Sequence, residues 1–484
     1  MNKLIQNTLT CLALFIALEQ AQAFCGFYIA KADAKLFNNK SEVIMVRYGT
    51  KNVITMSSDF QGNLKDFAMV VPVPVILKEA DIRVVERNIF DMLNDYSAPR
   101  MVEYYDTNPC GYDAYLEEDS RNWTLDAVAT SKVMTCSDNT SLGVTIEAEY
   151  HVDEYDILIL SATESEGLKT WLLANGYSIP TKAEEVLEPY IKSNMKFFVV
   201  KVNLEKMKNR NFEYLRPLQI SFDHKKFMLP LRLGMANSQG SQDMIVYAFT
   251  QNGRVECTNY RTVKLPTDRN VPLYVQPKFG DFYKALFERS YLQEGRNAVF
   301  LEYAWNVSPF NSMHCDPCVG PPPVHREFVE AGVDWLQGSS AQTIFFTRLH
   351  VRYSRDKFPA DLQFQETPNN ENFQCRYILT RPAYGEFDCE AGQEYLQTLY
   401  NRRTREIDEV TALTGWSKEG SDGYLNEYAT LMNKQKSIEK KNEILPGLFN
   451  SFKSNTTGLL MIFSIIALVS IVLFSQKKFF EKTV

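Results

Sequence analysis

The sequence predicts an α+β protein with mixed, largely antiparallel sheets, packed helices, a helical C-terminal stalk and one transmembrane helix. Three observations carry that expectation. Short runs rich in Val, Ile, Phe and Tyr alternate with polar residues, as half-buried strands do. Between them lie segments with apolar residues at helical spacing, residues 279–292 being the clearest. Near the C-terminus an uncharged run, 458–474, is bracketed by Lys453 and by Lys477, Lys478 and Lys482.

The chain opens with Lys3, an apolar run over 9–18, and Ala21-Gln22-Ala23. Those are the parts of a cleaved export signal, so residues 1–23 are expected to leave and Phe24 to begin the mature protein. The apolar run is too short to span a bilayer, which takes about 20 residues. Residues 458–474 do approach that length. Being apolar all round rather than on one face, they read as a membrane span with a cytoplasmic tail at 475–484. The expected topology is a single-pass protein of the cell membrane, its N-terminal region exported to the periplasm or outside and its C-terminus cytoplasmic.

Residues 24–150 read as a mainly β subdomain. Runs 42–48 and 53–57 flank Gly49-Thr50 as a hairpin, and 67–71 extend the sheet until Pro72 and Pro74 stop it, since proline cannot donate in a ladder. Spacing predicts a helix over 79–96, ended by Ser97-Ala98-Pro99. Residues 151–388 read as an α+β subdomain. Strand 155–160 leads to a helix at 167–174, capped by a preceding Ser or Thr and closed in left-handed geometry at Asn175-Gly176. Helix 182–193 and strand 196–202 follow, then strands 215–222, 228–233, 244–250 and 254–257. After helix 279–292 come strand 298–305, helix 326–336, and strands 343–353 and 374–380. Residues 389–457 read as a stalk of two charged helices, 390–413 and 424–442, with little apolar face.

The net charge is −7, leaving about −9 on the exported part once the signal and the tail are removed. That argues against a polyanion-binding surface, so nucleic acid is not an expected partner. The lipid bilayer at 458–474 and other envelope proteins are.

Eight cysteines remain after cleavage: Cys25, Cys110, Cys136, Cys257, Cys315, Cys318, Cys375 and Cys389. An even number in an oxidising compartment makes all of them disulfide candidates, with Cys110–Cys136 and Cys375–Cys389 as local pairs. The most distinctive stretch is 300–318, where a strand runs into His314-Cys315-Asp316-Pro317-Cys318. Three chemistries fit it. A structural disulfide is the first. A thiol–disulfide redox pair is the second, weakened because the prolines at 321–323 forbid the helix that normally activates such a thiol. Zinc on His314, Cys315 and Cys318 is the third. It lacks a fourth ligand unless folding brings His325 or His350, and no cofactor is expected.

Elsewhere the chemistry is thin, with no GxSxG, HExxH or Walker-type loop. His151, His224 and His350 stand singly. Asp153, Glu154 and Asp156 beside His151 suggest a cation site or, more simply, a solvated acidic loop. Glu164 and Glu166 read as complements to a helix dipole rather than as acid–base catalysts. Asp33 near the mature N-terminus reads as part of an edge strand.

Several longer stretches belong together: Phe24-Cys-Gly-Phe-Tyr-Ile-Ala-Lys-Ala-Asp33, Val70-Val-Pro-Val-Pro74, Tyr96-Ser-Ala-Pro-Arg100, and 155–161 with Gly167-Leu-Lys-Thr-Trp171. Phe300-Leu-Glu-Tyr-Ala-Trp305 with Cys315-Asp-Pro-Cys318, and Thr347-Arg-Leu-His-Val-Arg-Tyr353, complete the set. Over about 24–381 the chain resembles the bacterial envelope family catalogued as domain of unknown function 2330. The resemblance implies a signal-bearing bacterial protein, often tethered by a late span. It brings no activity, substrate or catalytic residue. The expected role is therefore non-enzymatic binding or scaffolding at the outer membrane face, the alternative being redox or metal chemistry at Cys315 and Cys318.

Overall fold

The computed structural model describes residues 27–28, 37–61, 68–111, 140–141, 143–175, 183–203, 206, 215–236, 240–308, 321–336, 342–419 and 421–426. Residues 309–320, which carry His314, Cys315 and Cys318, lie outside the described residues, as do Cys25, Asp33, Cys136, the export signal and 458–474. Among the described residues no helix is long and apolar enough to cross a membrane.

The chain divides into two units. The first comprises Met1–Val102, Asn122–Arg269 and Lys278–Ile378; the second comprises Glu103–Arg121, Asn270–Pro277 and Leu379–Val484. The expected boundary near residue 150 is not where the chain divides. Strand Phe37–Tyr48 pairs in parallel with Gln242–Thr250, Val43 opposite Val246, so both expected subdomains contribute to one sheet.

That sheet has nine strands. Its order is Arg261–Lys264, Ala298–Asn306, Phe345–Tyr353, Gln242–Thr250, Phe37–Tyr48, Lys51–Gln61, Leu218–Asp223 and Ile82–Val84, with Phe373–Gln374 pairing beside Ala298–Asn306. The central strands are buried along nearly their whole length, which explains why Gln242–Thr250 and Ala298–Asn306 read as nearly continuous apolar runs, while Phe345–Tyr353 alternates with charge. On one face Ile44, Tyr247, Phe249, Tyr303 and Phe346 pack with Ile89, Phe90 and Leu93 of helix Asn88–Ser97 and with Phe328 of helix His325–Ala331. Gly332 ends the latter helix at φ +102°, where a Cβ would come within 2.7 Å of Val53.

A six-stranded antiparallel sheet runs Phe27–Tyr28, Ala68–Val73, Lys196–Val202, Tyr155–Ala162, Val144–Val152, Thr140–Ser141. Its Leu160, Phe197 and Val199 lie under helices Ser165–Ala174 and Ala183–Lys192. Leu168, Trp171 and Leu172, spaced as one helical stripe, each contribute about 1.5–3 kcal/mol of burial. Strands Phe227–Leu229, Leu362–Glu366 and Val255–Cys257 form a three-stranded sheet in the same unit.

Several expectations are corrected here. Pro72 lies inside strand Ala68–Val73, paired with Phe197; Phe27–Tyr28 on the other side reaches only Met69 and Val70, so the missing donor breaks no described ladder bond there. The helix expected over 79–96 starts only at Asn88, because Ile82–Val84 is drawn into the large sheet beside Leu218–Ile220. Residues 228–233 are not one strand. They pass from Phe227–Leu229 through Pro230 into helix Arg232–Ala236. Helix Ser165–Ala174 takes Glu164 as its N-cap with no side-chain cap, and Asn175 has φ −89° rather than left-handed geometry.

In the second unit, helix Glu390–Thr414 is not a bare stalk. It buries Leu396, Leu399, Ile407, Val410 and Leu413 along one stripe. Arg403, fully buried, pairs with Glu406 at 2.7 Å and donates to the Thr380 carbonyl at 2.6 Å. Part of the apparent surface charge is therefore internal. The expected pairs Cys110–Cys136 and Cys375–Cys389 are overturned: Cys110 is bonded to Cys389, 279 residues away, while Cys257 and Cys375 are buried free thiols. Gly392 leaves room for that bridge against the first helical turn, since a Cβ would lie 2.8 Å from Cys110 Sγ.

Candidate functional site

Two polar constellations in the first unit gather chemistry-bearing side chains. One is a cleft of about 200 Å3 lined by Tyr190, His224, Lys226, Arg232, Asp361 and Gln363, with Pro74, Met195 and Met228 as apolar walls. Local sequence explains how it forms. Pro230 stops strand Phe227–Leu229, so the chain turns into helix Arg232–Ala236 at the point where Asp361 enters Leu362–Glu366 on the paired strand. The buried Asp361 carboxylate fastens that turn. Its Oδ1 accepts hydrogen bonds from Leu231 N at 2.9 Å, Arg232 N at 3.2 Å and Tyr190 Oη at 2.6 Å. Burial and the adjacent carboxylate push the Tyr190 hydroxyl well above its ordinary pKa, so it stays a donor.

The other half of this arrangement is open. Asp361 Oδ2 accepts no hydrogen bond among the described residues; the nearest cation atom, Arg232 Nε, is 4.0 Å away. Arg232 Nε is itself buried with no hydrogen-bond partner among the described residues. Lys226 contributes a second cation, and His224 Nδ1 accepts from Lys226 N at 3.2 Å. Behind the shared walls a recess of about 20 Å3 opens between Val71 and Val73 of the six-stranded sheet and Ile54, Met56 and Ile220 of the nine-stranded sheet. Arg232, partly exposed, and Lys226 give the lining two cations, which suits a ligand carrying negative charge.

The second constellation is a buried charge row on the nine-stranded sheet. Arg348, His350 and Arg352 lie at alternate positions of one strand and so share a face. Opposite them, the register of Ala298–Asn306 shifts between Leu301 and Tyr303, and this bulge aims Glu302 at the same row. Glu302 Oε2 accepts from Arg348 Nε, and Oε1 from Tyr283 Oη, with His350 Nδ1 at 2.8 Å. His350 Nε2 lies 3.1 Å from Asp243, which also takes two 2.9 Å bonds from Arg352. Burial raises the Glu302 pKa, but Arg348 and His350 outweigh it and hold the carboxyl at about 2. Burial lowers His350, but Glu302 and Asp243 outweigh that and raise it. Phe287 stacks on its ring at 3.9 Å. Every charge here is already paired, Glu302 and Arg348 inside and Arg352 with Asp243 nearer the surface, so the row is a brace and leaves little for a ligand to do.

The sequence-derived candidates distribute accordingly. His350 has both nitrogens engaged and cannot complete a zinc site. Asp153, Glu154 and Asp156 do not form a cation site: Glu154 is buried on Arg216, Asp153 lies 3.4 Å from Arg216, and Asp156 pairs with His151 at 2.6 Å. Among the described residues no group of three or more His, Cys, Asp or Glu could hold a metal. Glu166 pairs with Lys169 at 3.3 Å. His224 alone reaches the cleft. Sequence reading missed Arg232, Asp361 and Tyr190; Arg232 and Tyr190 lie 129 and 171 residues from Asp361 along the chain, and no local motif joins them.

A family model described as an uncharacterised protein conserved in bacteria, DUF2330, matches residues 19–365. The chain belongs to that family. The matched span holds every cleft residue named above, so the cleft lies within the DUF2330 region, whereas the long helix Glu390–Thr414 lies beyond it. No curated protein and no solved structure matches the chain.

Proposed function

We propose that this DUF2330 protein is an exported binding protein, held at the bacterial cell membrane by residues 458–474, whose cleft captures a small anionic ligand. The observation that carries this reading is the Arg232 side chain in the lining of a cleft of about 200 Å3. Lys226 adds to its charge, and the opening is of a size suited to a small molecule rather than a chain. The membrane part rests on the export signal and the apolar run read from the sequence. Binding is preferred to catalysis because His224 Nδ1 is taken up by its own turn and no described hydrogen bond links it to a nucleophile.

Thermal unfolding of the full chain with acetate, propionate, phosphate and sulfate tests the reading. A ligand at about 100 times its Kd stabilises by about 2.7 kcal/mol, a readily measured rise in Tm. At least one anion is expected to give that rise with the unsubstituted chain and to lose it with Arg232→Gln. If no anion raises Tm, or Arg232→Gln responds equally, the cleft is not an anion site.

A further inference from the structure

We infer that the cleft ligand is a straight-chain aliphatic monocarboxylate, its carboxylate at Lys226 and Arg232 and its alkyl end in the recess behind them, an inference that rests on the anion-binding reading above. Cleft and recess are two parts of one site, since Pro74, Met195, His224, Lys226 and Met228 line both. The local sequence explains the change from polar to apolar. Strand Leu218–Asp223 carries Ile220 and Phe222 at alternate positions into the recess lining, and the chain then leaves the sheet at His224 and Lys226, which line the mouth. On the facing sheet Val71 and Val73 alternate in the same way along Ala68–Val73, and Pro74 follows at the mouth.

The recess calls for an apolar occupant. Ile54, Met56, Val71, Val73 and Ile220 wall it, and at about 20 Å3 it exceeds the roughly 10–15 Å3 that admits one water-sized group. A water there would need about two to four polar partners, which those walls do not carry. An alkyl group instead gains dispersion contacts with both sheets. Met56, Met195 and Met228, unbranched and adaptable, let the walls follow the shape of the arm. The cleft calls for a single negative charge. Among the described residues of its lining, Lys226 and Arg232 stand against one carboxylate, Asp361, so one positive charge is in excess. A monoanion balances it, and a guanidinium suits a carboxylate; a phosphate dianion would meet Asp361 unfavourably.

Isothermal titration of the full chain with acetate, butyrate, hexanoate, butanol, butylamine, phosphate and sulfate tests this. Burying a methylene strengthens binding about fourfold, so butyrate or hexanoate should bind at least about tenfold more tightly than acetate. Butanol and butylamine, which carry the arm without the negative charge, should bind at least about tenfold more weakly than butyrate. Val73→Ile, which adds one methylene to the recess wall, should shrink the advantage of butyrate over acetate at least about threefold. The wild-type ligand series decides the matter even if that variant folds poorly. Acetate, phosphate or sulfate binding as tightly as butyrate and hexanoate would overturn the alkyl assignment and leave the anion site standing, and an undiminished advantage in folded Val73→Ile would remove the arm from the recess. Butanol binding as tightly as butyrate, or no binding by any of the seven, would overturn this inference and the anion site together.

Discussion

The charge row at Glu302 and the cleft at Asp361 each hold a buried carboxylate among cations in the same unit, yet they differ in what is left over. Glu302 has both oxygens engaged by Arg348, Tyr283 and His350, and Asp243 closes the far side of the row. Asp361 has three donors on one oxygen and none described on the other, and its cation neighbour lacks a partner at Nε. A buried charge is stable when every polar atom around it is satisfied. The closed row is therefore a structural device, whereas Asp361 lies in the lining of a cleft together with Arg232 and Lys226.

The sharpest way to break this contrast is to damage the closed row. Arg348→Met should lower stability by about 3–5 kcal/mol, because Glu302 would be left buried without its main partner. Chemical denaturation measures it. A loss under about 1 kcal/mol would mean that the row is not the closed brace described. Removing the Cys110–Cys389 bridge with Cys110→Ser and Cys389→Ser should cost about 2–4 kcal/mol, read by the same denaturation. An unchanged midpoint would place the stability of the second unit in Arg403–Glu406 and the apolar stripe instead.

The pH dependence follows from the same row. The Glu302 pKa is depressed from 4.5 to about 2, so its contribution is complete above about pH 4.5 and is lost as pH falls toward 2. Asp243 is lowered too and acts in the same direction. His350 is raised above 6.5, so its contribution is complete below pH 6.5 and is lost as pH rises through the raised value. Tm should therefore be highest between about pH 4.5 and 6.5 and fall on both sides, and Glu302→Gln should flatten the acid limb. A wild-type profile that keeps rising above pH 7 would contradict the protonated state of His350.

At the open site the expected stability effect is smallest. Lys226→Gln, an exposed change, should alter Tm by no more than about 0.5 kcal/mol of stability while weakening anion binding several-fold. Equal binding would remove Lys226 from the site and leave Arg232 as its only cation.

Much of the fold was legible in the sequence where local pattern decides structure. The hairpin around Gly49-Thr50, strand Lys196–Val202 and helix Phe279–Gln293 all follow from periodicity and turn residues. Residues 82–84 failed because sheet pairing overrode helical spacing, and the Cys110 bridge failed because its partner is distant. The charge row left a readable trace. Arg348, His350 and Arg352 at every second position of an otherwise apolar strand require a charged partner on the same face, and Glu302 is the one acid in Phe300–Trp305. The cleft left none. Arg232 falls in a run read as a strand and Asp361 in a stretch with no expected element, until Pro230 and the Met228–Gln363 pairing bring them together.

Hydrogen exchange of the full chain with and without the anion that raises Tm compares the two regions directly. Protection should increase at the amides of Leu231 and Arg232, whose acceptor is Asp361, and remain unchanged around Glu302 and His350. Increased protection around Glu302 and His350, with none at Leu231 and Arg232, would contradict the division into a closed brace and an open site.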